Sequence, residues 1–532
     1  MAFQDIDASD SRYETLIKGF NLRFPDQGEN PQRIYVCRNE NDVHAALAEA
    51  LTRQLRPTIR SGGHCYEGFV SNNEGGVIID IGLCDQVEYD VTVEGHHYGF
   101  KMASGAQNWN SYVDLYKNTG KTYPGGSCYS VGGGGHICGG GFGYLSKLHG
   151  LSCDWVSAVD VLTVDSSRSV VQVHATADNA HKDLWRACRG AGGGNFGVIT
   201  NYYFDSLPDA PRQIALLSIG ISWAGMTREI FINLAKTFGQ WCVDHAASSP
   251  ETDGLWGSMR LTHQSSGQIS ISAFYCDRDG GLDDTAALNE FYQLFAPFNP
   301  TVETTYLPYE SVPVVSSPTS TARQGDIGPL PPGARALDWL YAAQNNNGSG
   351  ANQRSKYASS YMKQNFVDAE LNAMYNALTD MSAGNELRQA SVQVSNYGGA
   401  INNPARLADT AVPQRASVMK LQYQTYWTNP VNDDLHISWL DNLFSSVHQL
   451  TSSQGFEGTP YPYFPATSTQ PSSYYEGCYI NYPDIAMLKL NNPAPPNWQT
   501  LYYLNMYPFL QGVKTAYDPL NIFHHSMSIT AP

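Results

Sequence analysis

The chain has 532 residues, of which 42% are hydrophobic and 15% charged, and its formal net charge is -17. At about 150 residues per domain, this length predicts two to four compact units. No tract fills the roughly 18–20 apolar residues of a membrane span, and the acidic excess repels phosphate backbones. We therefore expect a small-molecule substrate, and neither a membrane nor a nucleic-acid partner.

Cysteine and histidine usage gives no sign of a disulfide scaffold or a metal site. The ten cysteines are dilute, and none forms the CxxC pair of zinc or thioredoxin chemistry. The pairs His96-His97 and His524-His525 point apart on a strand and lack companions at ligand spacing. The N-terminal segment lacks the features of a secretory signal, so we expect a chain that is cytosolic or already processed. The oligomeric state stays open.

Residues 32–105 alternate strand-like and helix-like stretches, which predicts a small α/β unit. Strands are predicted at RIYVC, PTIRSG and GVIIDIG, and a helix at NDVHAALAEALTRQ. From 123 to 150 glycine is so frequent that the main chain must approach another surface or a ligand closely. A strand AVDVLTVD, a helix over 177–190, a second glycine cluster at 190–197 and a strand VITNYYF follow.

From Arg212 onward, strands such as IALLSIGISW, LWGSMRL and QISISAFYC alternate with helical runs such as DTAALNEFYQLFAPF. This pattern predicts a second, α+β unit built on an antiparallel sheet. Two stretches rich in Pro, Ser and Gly, 307–335 and 454–473, are predicted to be long surface loops. Loops of that length are often functional.

The run from Gly192 to Gly197 matches GxGxxG, a dinucleotide-binding fingerprint. That fingerprint follows a strand and opens a helix, so that a pyrophosphate meets the helix N-terminus. Here a helical run precedes the glycines and a strand follows them. The motif therefore does not indicate a Rossmann site.

Two nucleophilic side chains lie next to glycines. RSGGH at 60–64 follows a predicted strand, and consecutive backbone N–H groups in such a loop can bind a pyrophosphate. GGSC at 125–128 places a thiol in a similar setting. Either His64 or Cys128 alone is by default a structural residue, but the two together favour a functional site.

These motifs resemble the covalently flavinylated FAD-linked oxidases, the berberine bridge enzyme and hexose oxidase group with a vanillyl-alcohol-oxidase-type FAD domain. Within that group the carbohydrate oxidases are nearest in appearance, and the resemblance covers nearly the whole chain. The segments that show the resemblance are RSGGHCYEGF (60–69), PGGSCYSVGGGGHICGGGFG (124–143), HGLSCDW (149–155), GGGNFGVIT (192–200), NGSGANQRSKY (347–357), KLQYQTYW (420–427), GCYINYPD (477–484) and YDPLNIF (517–523).

The resemblance implies an α+β fold with two lobes. An FAD-binding domain of the vanillyl-alcohol-oxidase or PCMH type would cover residues 1–210. A substrate-binding domain built on an antiparallel sheet would cover 211–475, and the C-terminal segment 476–532 would complete the FAD domain. The active site would lie at the junction of the two lobes.

The resemblance implies FAD as a cofactor attached by two covalent bonds. His64 would bind the C8-methyl carbon of the flavin and Cys128 its C6, which should raise the flavin potential and leave the substrate side open. Val131 matches a position where valine admits oxygen to the flavin, which favours an oxidase. The other expected cofactor contacts are Arg60, Ser61, Gly62, Gly63, Tyr66, Ser127, Gly132, Gly135, His136, Gly139, Gly140, Gly141, Gly143, Gly197, Val198, Ile199, Asn481 and Tyr482.

Oxidation of a hydroxyl needs a base for its proton while the carbon-bound hydrogen leaves as hydride to flavin N5. By resemblance, Tyr479 is that base. A phenol is a poor base at neutral pH unless a neighbour stabilises the phenolate. Lys420 is the candidate neighbour, and Gln422 shares its face of a strand. Taken by themselves, KLQYQTYW and YINY favour an ordinary amphipathic strand and an aromatic patch over a catalytic role.

One position departs from the sugar oxidases of this group, which often carry an acid shortly before a Gly-Gly pair. Here that position holds Ser395, which cannot act as a charged partner of Tyr479. Either the base is activated differently, or the substrate is not a simple sugar. Gln393 and Tyr397 are further expected substrate contacts.

The favoured function is an oxygen-dependent oxidation of a sugar C1 hydroxyl to a lactone, with release of hydrogen peroxide. A tailoring oxidase that acts on a glycosylated or polycyclic secondary metabolite is the nearer alternative. A non-catalytic carbohydrate-binding protein that keeps the fold is an alternative of another class, and it predicts a colourless protein.

Overall fold

The computed structural model describes residues 3–302, 327–345, 348, 350–449, 458–462, 474–493 and 495–532. Most of the two predicted long loops lies outside these ranges, and so do Asn347 and Ser349 of the NGSGANQRSKY segment. The functional role expected of those loops therefore stays a prediction. None of the described helices is long and apolar enough to cross a bilayer.

The N-terminal part of the chain forms two sheets. The first contains β1 (Gln4–Ile6), β2 (Arg33–Val36), β3 (Pro57–Arg60) and β4 (Val77–Asp80), in the order β1-β2-β4-β3. The second is antiparallel and contains β5 (Val87–Val93), β6 (His96–Ala103), β7 (Ala158–Val164), β8 (Val170–Thr176) and β9 (Val198–Phe204), in the order β5-β6-β9-β7-β8. All five strands predicted in this region are present.

The helices surround and connect the sheets. They are α1 (Tyr13–Leu16), α2 (Glu40–Thr52), α3 (Asn108–Thr119), α4 (Gly133–Cys138), α5 (Ser146–His149), α6 (Lys182–Ala187), α7 (Arg228–Asp244), α8 (Ala286–Gln293), α9 (Trp339–Asn345), α10 (Asp368–Leu378), α11 (Asp433–Val447), α12 (Trp498–Tyr503) and α13 (Tyr507–Tyr517). Short 3-10 helices include Ser152–Trp155, Glu386–Gln389 and Ile485–Lys489.

Helix α2 joins the two N-terminal sheets. Asn39 caps it by accepting a hydrogen bond from the backbone N–H of Asp42 at 3.0 Å, which satisfies one free donor of the first turn. Buried apolar residues recur on one face at helical spacing and pack against both sheets. They are Val43, Ala46, Leu47, Ala50 and Leu51.

Helix α6 is shorter than the helix predicted over 177–190. The side-chain oxygen of Asn179 accepts hydrogen bonds from the backbone N–H groups of Thr176, at 3.2 Å, and His181, at 2.9 Å. An asparagine bonded in this way favours a turn over a helix. The helix consequently begins only at Lys182.

An antiparallel eight-stranded sheet dominates the remainder of the chain. Its strands are β10 (Gln213–Ser222), β11 (Leu255–Thr262), β12 (Gln268–Tyr275), β13 (Thr301–Val302), β14 (Ala334–Asp338), β15 (Arg354–Met362), β16 (Ser391–Asn396) and β17 (Met419–Trp427). The order is β13-β10-β12-β11-β16-β17-β15, and β14 also pairs with β10. The predicted α+β class is confirmed, while the exact domain boundaries stay predictions.

The two faces of this sheet differ in chemistry. On β12, Ile269 and Ile271 have no exposed surface, whereas Ser270 and Ser272 point to the opposite side and line a cavity. On β17, Tyr423 packs edge-on against Phe444 of α11 with a centroid distance of 5.0 Å. The sheet therefore buries one face under helices and presents a polar face to the cavity.

A buried ion pair ties the 404–418 region to the segment that follows the first glycine-rich stretch. Arg415 donates from Nη2 to Asp154 Oδ1 at 2.7 Å and from Nη1 to Oδ2 at 3.0 Å, a bidentate geometry. The two side chains are only 2% and 3% exposed. Removing one partner would leave a buried charge without compensation.

We predict that Arg415→Ala lowers the stability of the folded chain by about 3–5 kcal/mol, because Asp154 would stay buried and unpaired. Arg12→Ala, which breaks a surface pair with Asp10, should cost roughly 0–1 kcal/mol. Urea denaturation of both variants provides the comparison. Equal midpoints for the two variants would contradict the structural role of Arg415.

Candidate active site

A cavity of about 930 Å³ lies between the glycine-rich loops and the polar face of the eight-stranded sheet. Its size is at the upper end of the range for ligand pockets. The lining includes the 60–67 loop, the 126–144 segment, the second glycine cluster, six strands of the sheet, and the segments 479–483 and 523–525. The cavity can therefore hold a large cofactor with a substrate beside it.

Two loops meet backbone to backbone at one end of the cavity. A Cβ atom on Gly62 would lie 2.2 Å from the backbone nitrogen of Gly132 and 2.3 Å from the carbonyl oxygen of Ser130. Only glycine fits such a contact. It brings His64 and Cys128 to the same cavity, which both side chains line.

The imidazole of His64 is held on one side and kept neutral. Its Nε2 hydrogen-bonds the hydroxyl of Ser130 at 2.7 Å, and its ring stacks on Phe20 with a centroid distance of 4.5 Å. Burial lowers the pKa of His64 to about 4, so the ring is uncharged at neutral pH. A neutral imidazole keeps the lone pair that a nucleophile needs, and Nδ1 is the nitrogen that Ser130 does not engage.

Most of the residues expected to contact a cofactor line this cavity. The residues in the lining are Arg60, Ser61, Gly62, Gly63, His64, Tyr66, Ser127, Cys128, Val131, Gly132, Gly135, His136, Gly143, Gly197, Val198, Ile199, Asn481 and Tyr482. At Gly135 no atom lies within 4 Å of an added Cβ, so the main chain there faces open space. Their roles toward a cofactor stay predictions.

Gly139, Gly140 and Gly141 do not line the cavity, in contrast with the expectation. A Cβ on Gly139 would lie 2.0 Å from the side-chain oxygen of Asn481, and one on Gly141 would lie 2.5 Å from Ser152. These glycines make room for neighbouring protein segments. They allow the 139–141 backbone to pack closely against the segment that carries Tyr479 and Asn481.

The second glycine cluster has the context that the sequence indicates. It follows α6, precedes β9, and lines the cavity from Ala191 to Asn195. Its Gly193 carbonyl lies 3.3 Å from Nε2 of His525, whose ring stacks on Phe69 at 4.1 Å. The cluster does not form a Rossmann dinucleotide-binding site, because no helix begins at these glycines.

Tyr479 is buried at the cavity wall, with 3% of its surface exposed. Its hydroxyl oxygen accepts hydrogen bonds from the backbone N–H of Gly141 and from Nδ2 of Asn481, both at 3.3 Å. Burial raises the pKa of Tyr479 above its ordinary value, and these donors act in the opposite direction. The two donors offset part of the cost of a phenolate, but burial is the larger effect and keeps the hydroxyl protonated in the structure as it stands.

Lys420 lies among three aromatic rings. Its Nζ is 4.1 Å from the ring centroid of Tyr482, 4.2 Å from that of Phe142 and 4.4 Å from that of Tyr479. Burial lowers the pKa of Lys420 well below its ordinary value. A cation held over aromatic faces is stabilised by them, and a phenolate on Tyr479 would stabilise the ammonium further.

The other predicted residues of the sheet divide into two groups. Gln422 lines the cavity on the same face of β17 as Lys420, and its Nε2 donates to the Tyr66 hydroxyl at 2.9 Å. Gln393 and Ser395 line it as well. Tyr397 does not, because it is fully buried and its hydroxyl donates to the carbonyl of Gln414 at 3.0 Å. A direct substrate contact by Tyr397 is therefore not supported.

Several residues of the site are not identified by the sequence alone. Ser130, which hydrogen-bonds His64 and is not itself part of the lining, lies within the 124–143 motif, but nothing in that motif indicates its contact with His64. The serines and threonine of the sheet follow a period-2 pattern that marks a polar face, but the pattern does not say what the face meets. These residues are Ser218, Ser258, Thr262, Ser270, Ser272 and Ser391. Within the described chain, no group of three or more His, Cys, Asp or Glu side chains is arranged to bind a metal.

Comparison with known proteins gives two matching family profiles, one described as FAD binding domain at residues 31–170 and one as Berberine and berberine like at residues 478–530. Hexose oxidase of Chondrus crispus is 33% identical over 98% of this chain and 94% of its own length. Aclacinomycin-N/aclacinomycin-A oxidase of Streptomyces galilaeus is 31% identical over 100% and 90%, respectively.

Solved structures are similar over the whole chain. A flavoenzyme involved in shunt product recycling in caerulomycin biosynthesis superposes with a TM-score of 0.84 at 31% identity and covers 100% of both chains. A glycopeptide hexose oxidase complexed with teicoplanin superposes with a TM-score of 0.81 at 29% identity and covers 99% of both. The fold is thus that of FAD-linked oxidases.

Glu67 is the acidic residue of the described cavity lining, and it is 3% exposed. Its Oε1 accepts a hydrogen bond from the backbone N–H of Ile485 at 3.2 Å, while Oε2 has no hydrogen-bond partner in the described structure. Burial raises its pKa to about 7, partly offset by the charge of Lys356. The folded chain therefore holds a proton on Glu67 at pH values where the unfolded chain has lost it.

We predict that Glu67→Gln stabilises the protein at pH 8 but not at pH 4. An unfolded glutamate ionises near its ordinary pKa of 4.5, so the stability of the wild type falls as pH rises from 4.5 to about 7. Glutamine cannot ionise and avoids that loss. Thermal denaturation across this pH range, with the exposed Glu74→Gln as control, measures the difference. A variant less stable than the wild type at pH 8 would refute this reasoning.

Proposed function

Because this chain belongs to the berberine bridge enzyme-like family of FAD-linked oxidases, we propose that it oxidises the C1 hydroxyl of a sugar to a lactone and passes the electrons to oxygen, releasing hydrogen peroxide. The observation that carries the proposal is one cavity that joins His64 and Cys128 to Tyr479, Lys420 and a polar sheet face. As an FAD-dependent oxidase, the protein needs a hydride acceptor, a proton acceptor and a substrate surface.

The residues at the glycine-loop end suit FAD held by two covalent bonds. His64 is neutral, fixed by Ser130, and free at Nδ1 to bind the C8-methyl carbon. Cys128 lies on the adjoining loop and would bind C6. The open space at Gly135 and the glycine-rich walls leave room for the flavin and its pyrophosphate. When bound, FAD supplies the acceptor for the substrate hydride.

Tyr479 takes the hydroxyl proton of the substrate in this proposal. The phenolate that it requires is stabilised by Lys420 above the ring and by the N–H donors of Gly141 and Asn481. Burial disfavours a lone charge on either side chain, but an adjacent phenolate and ammonium offset each other. This arrangement replaces the carboxylate that other sugar oxidases of the group use, since Ser395 stands at that position.

Val131 lines the cavity, at the position that favours access of oxygen. Gln393 and Gln422 are opposite one another in the β16–β17 register and both line the cavity. Their amides can donate and accept, which suits substrate hydroxyls. They would orient the sugar so that its C1 hydroxyl meets Tyr479.

A tailoring oxidase that acts on a sugar appended to a natural product is the second candidate. It is favoured by Ser395 and by relatives named for aclacinomycin oxidation and caerulomycin biosynthesis. Screening free sugars and glycosylated natural products with peroxide detection separates the two candidates. Oxidation of free sugars at low KM supports the sugar oxidase.

We predict that His64→Ala and Cys128→Ala each keep the flavin on the chain through the remaining bond, whereas the double variant releases it. Acid precipitation followed by inspection of the pellet for yellow colour is the measurement. Cys138→Ala, which removes a buried thiol near the same loops, should leave the pellet yellow as a control. Complete release of flavin from either single variant would show that only one bond exists.

We predict that Tyr479→Phe lowers kcat roughly 100-fold or more, the size of effect expected for loss of a proton acceptor. Bound flavin should be unchanged, because the ring under Lys420 is retained. Tyr482→Phe keeps an equivalent ring beneath the same lysine and serves as the matched control. Equal kcat values for the two variants would remove Tyr479 from the proton-transfer step.

A further inference from the structure

The cavity face of the eight-stranded sheet carries an unbroken row of polar residues across five strands. Ser218 on β10, Ser272 on β12, Ser258 on β11, Ser395 on β16 and Lys420 on β17 are consecutive register partners. All five line the cavity. At about 4.8 Å between strands the row covers about 19 Å, a length that fits several sugar units and not one.

A second row runs parallel to the first on the same face. Ser270, Arg260, Gln393 and Gln422 are consecutive register partners on β12, β11, β16 and β17, and all four line the cavity. Arg260 donates from Nη2 to the side-chain oxygen of Gln393 at 3.1 Å. The two rows therefore offer hydroxyl, amide and guanidinium groups in a regular array, and the aromatic side chains of Trp256, Tyr357 and Tyr426 line the cavity beside them.

The charge of this surface is opposite to that of the protein. The chain has 49 acidic against 32 basic residues, yet Glu67 is the one acid in the described cavity lining, and it lies on the loop that carries His64. Arg260 and Arg388 line the sheet side. Neither forms an ion pair with a carboxylate of the described residues, and Arg260 donates a hydrogen bond to Gln393.

Arg260 acts on the interior of the cavity although its side chain is exposed. Burial raises the pKa of Tyr426 and of Tyr144, and in both cases the charge of Arg260 opposes that rise. Both tyrosines line the cavity. A positive potential therefore extends into the substrate end of a protein whose overall field would repel an anion.

We propose that this face of the sheet binds an extended anionic oligosaccharide, with its terminal sugar at Lys420 and Tyr479 and a carboxylate or sulfate group at Arg260 and Arg388. The proposal rests on the proposed sugar oxidation and adds its substrate class. Arg260 lies two strands from β17, about 10 Å away, so the anionic group belongs to a sugar unit beside the one oxidised. Guanidinium groups bind carboxylate and sulfate through paired hydrogen bonds.

The same surface suits a polycyclic aglycone poorly. Such a ligand needs an apolar platform, since most of its binding free energy comes from buried apolar area. Along the two rows it would instead cover serine hydroxyls and the amides of Gln393 and Gln422 without using their remaining hydrogen-bonding capacity, which costs free energy. A chain of sugar hydroxyls satisfies those groups.

The test measures peroxide release by the flavin-loaded enzyme with three trisaccharides: a neutral glucan, a trigalacturonate and a sulfated glucan. Arg260→Gln should raise KM for the preferred acidic substrate about tenfold or more and change kcat less than about twofold, because charge-assisted hydrogen bonds at that position contribute to binding only. KM for the neutral trisaccharide should stay unchanged. Arg278→Gln, which removes the same charge outside the cavity lining, is the matched control.

The two acidic substrates distinguish uronate from sulfate as the source of the anion, and added salt should weaken the preference for either. Equal KM values for neutral and acidic substrates in the wild type would overturn the proposal. If no trisaccharide is oxidised, the proposed function fails separately. In that case, titration of the flavin absorbance with trigalacturonate and the sulfated glucan decides: binding lost in Arg260→Gln alone upholds the anionic groove, and no binding of either refutes it.

Discussion

The backbone contact between Gly62 and Gly132 controls the arrangement of the cavity. Because neither position has space for a Cβ atom, any side chain there would push apart the loops that carry His64 and Cys128. The hydrogen bond between His64 and Ser130 spans the same contact. Glycine costs backbone entropy, and here that cost permits His64 and Cys128, which lie in loops far apart in the sequence, to line one cavity.

A similar steric constraint positions Tyr479 at another part of the cavity wall. Because Gly139 and Gly141 have no side chains, Asn481 and Ser152 can pack directly against the backbone there. The backbone N–H of Gly141 donates a hydrogen bond to the Tyr479 hydroxyl. Lys420 approaches the same tyrosine from the sheet. The glycine-rich segment therefore serves both ends of the cavity: its first part contacts the loop that carries His64, and its second part contacts Tyr479. The sheet supplies the remaining, substrate-facing wall.

The sequence allowed much of this fold to be predicted, because its strand signals are local: β4 and β7 are short, largely apolar runs, and β12 and β17 alternate between apolar and polar residues. The paired motifs around His64 and Cys128 likewise indicate one flavin site. Other features depend on contacts between distant segments. The turn at Asn179 shortened a predicted helix, and the glycines at 139–141 meet protein and not the cavity. Tyr397 is fully buried and does not line the cavity. The polar row that runs from Ser218 to Lys420 becomes visible only when the register of five strands is known, and no single strand determines that register.

The central claim is that His64 and Cys128 bind one and the same flavin. Proteolysis of the denatured holoprotein, followed by mass spectrometry of the flavin-containing peptides, tests it most directly. The account predicts a single species in which one flavin cross-links the peptide containing His64 to the peptide containing Cys128. Flavin found on only one of these peptides, or released free during denaturation, would contradict it.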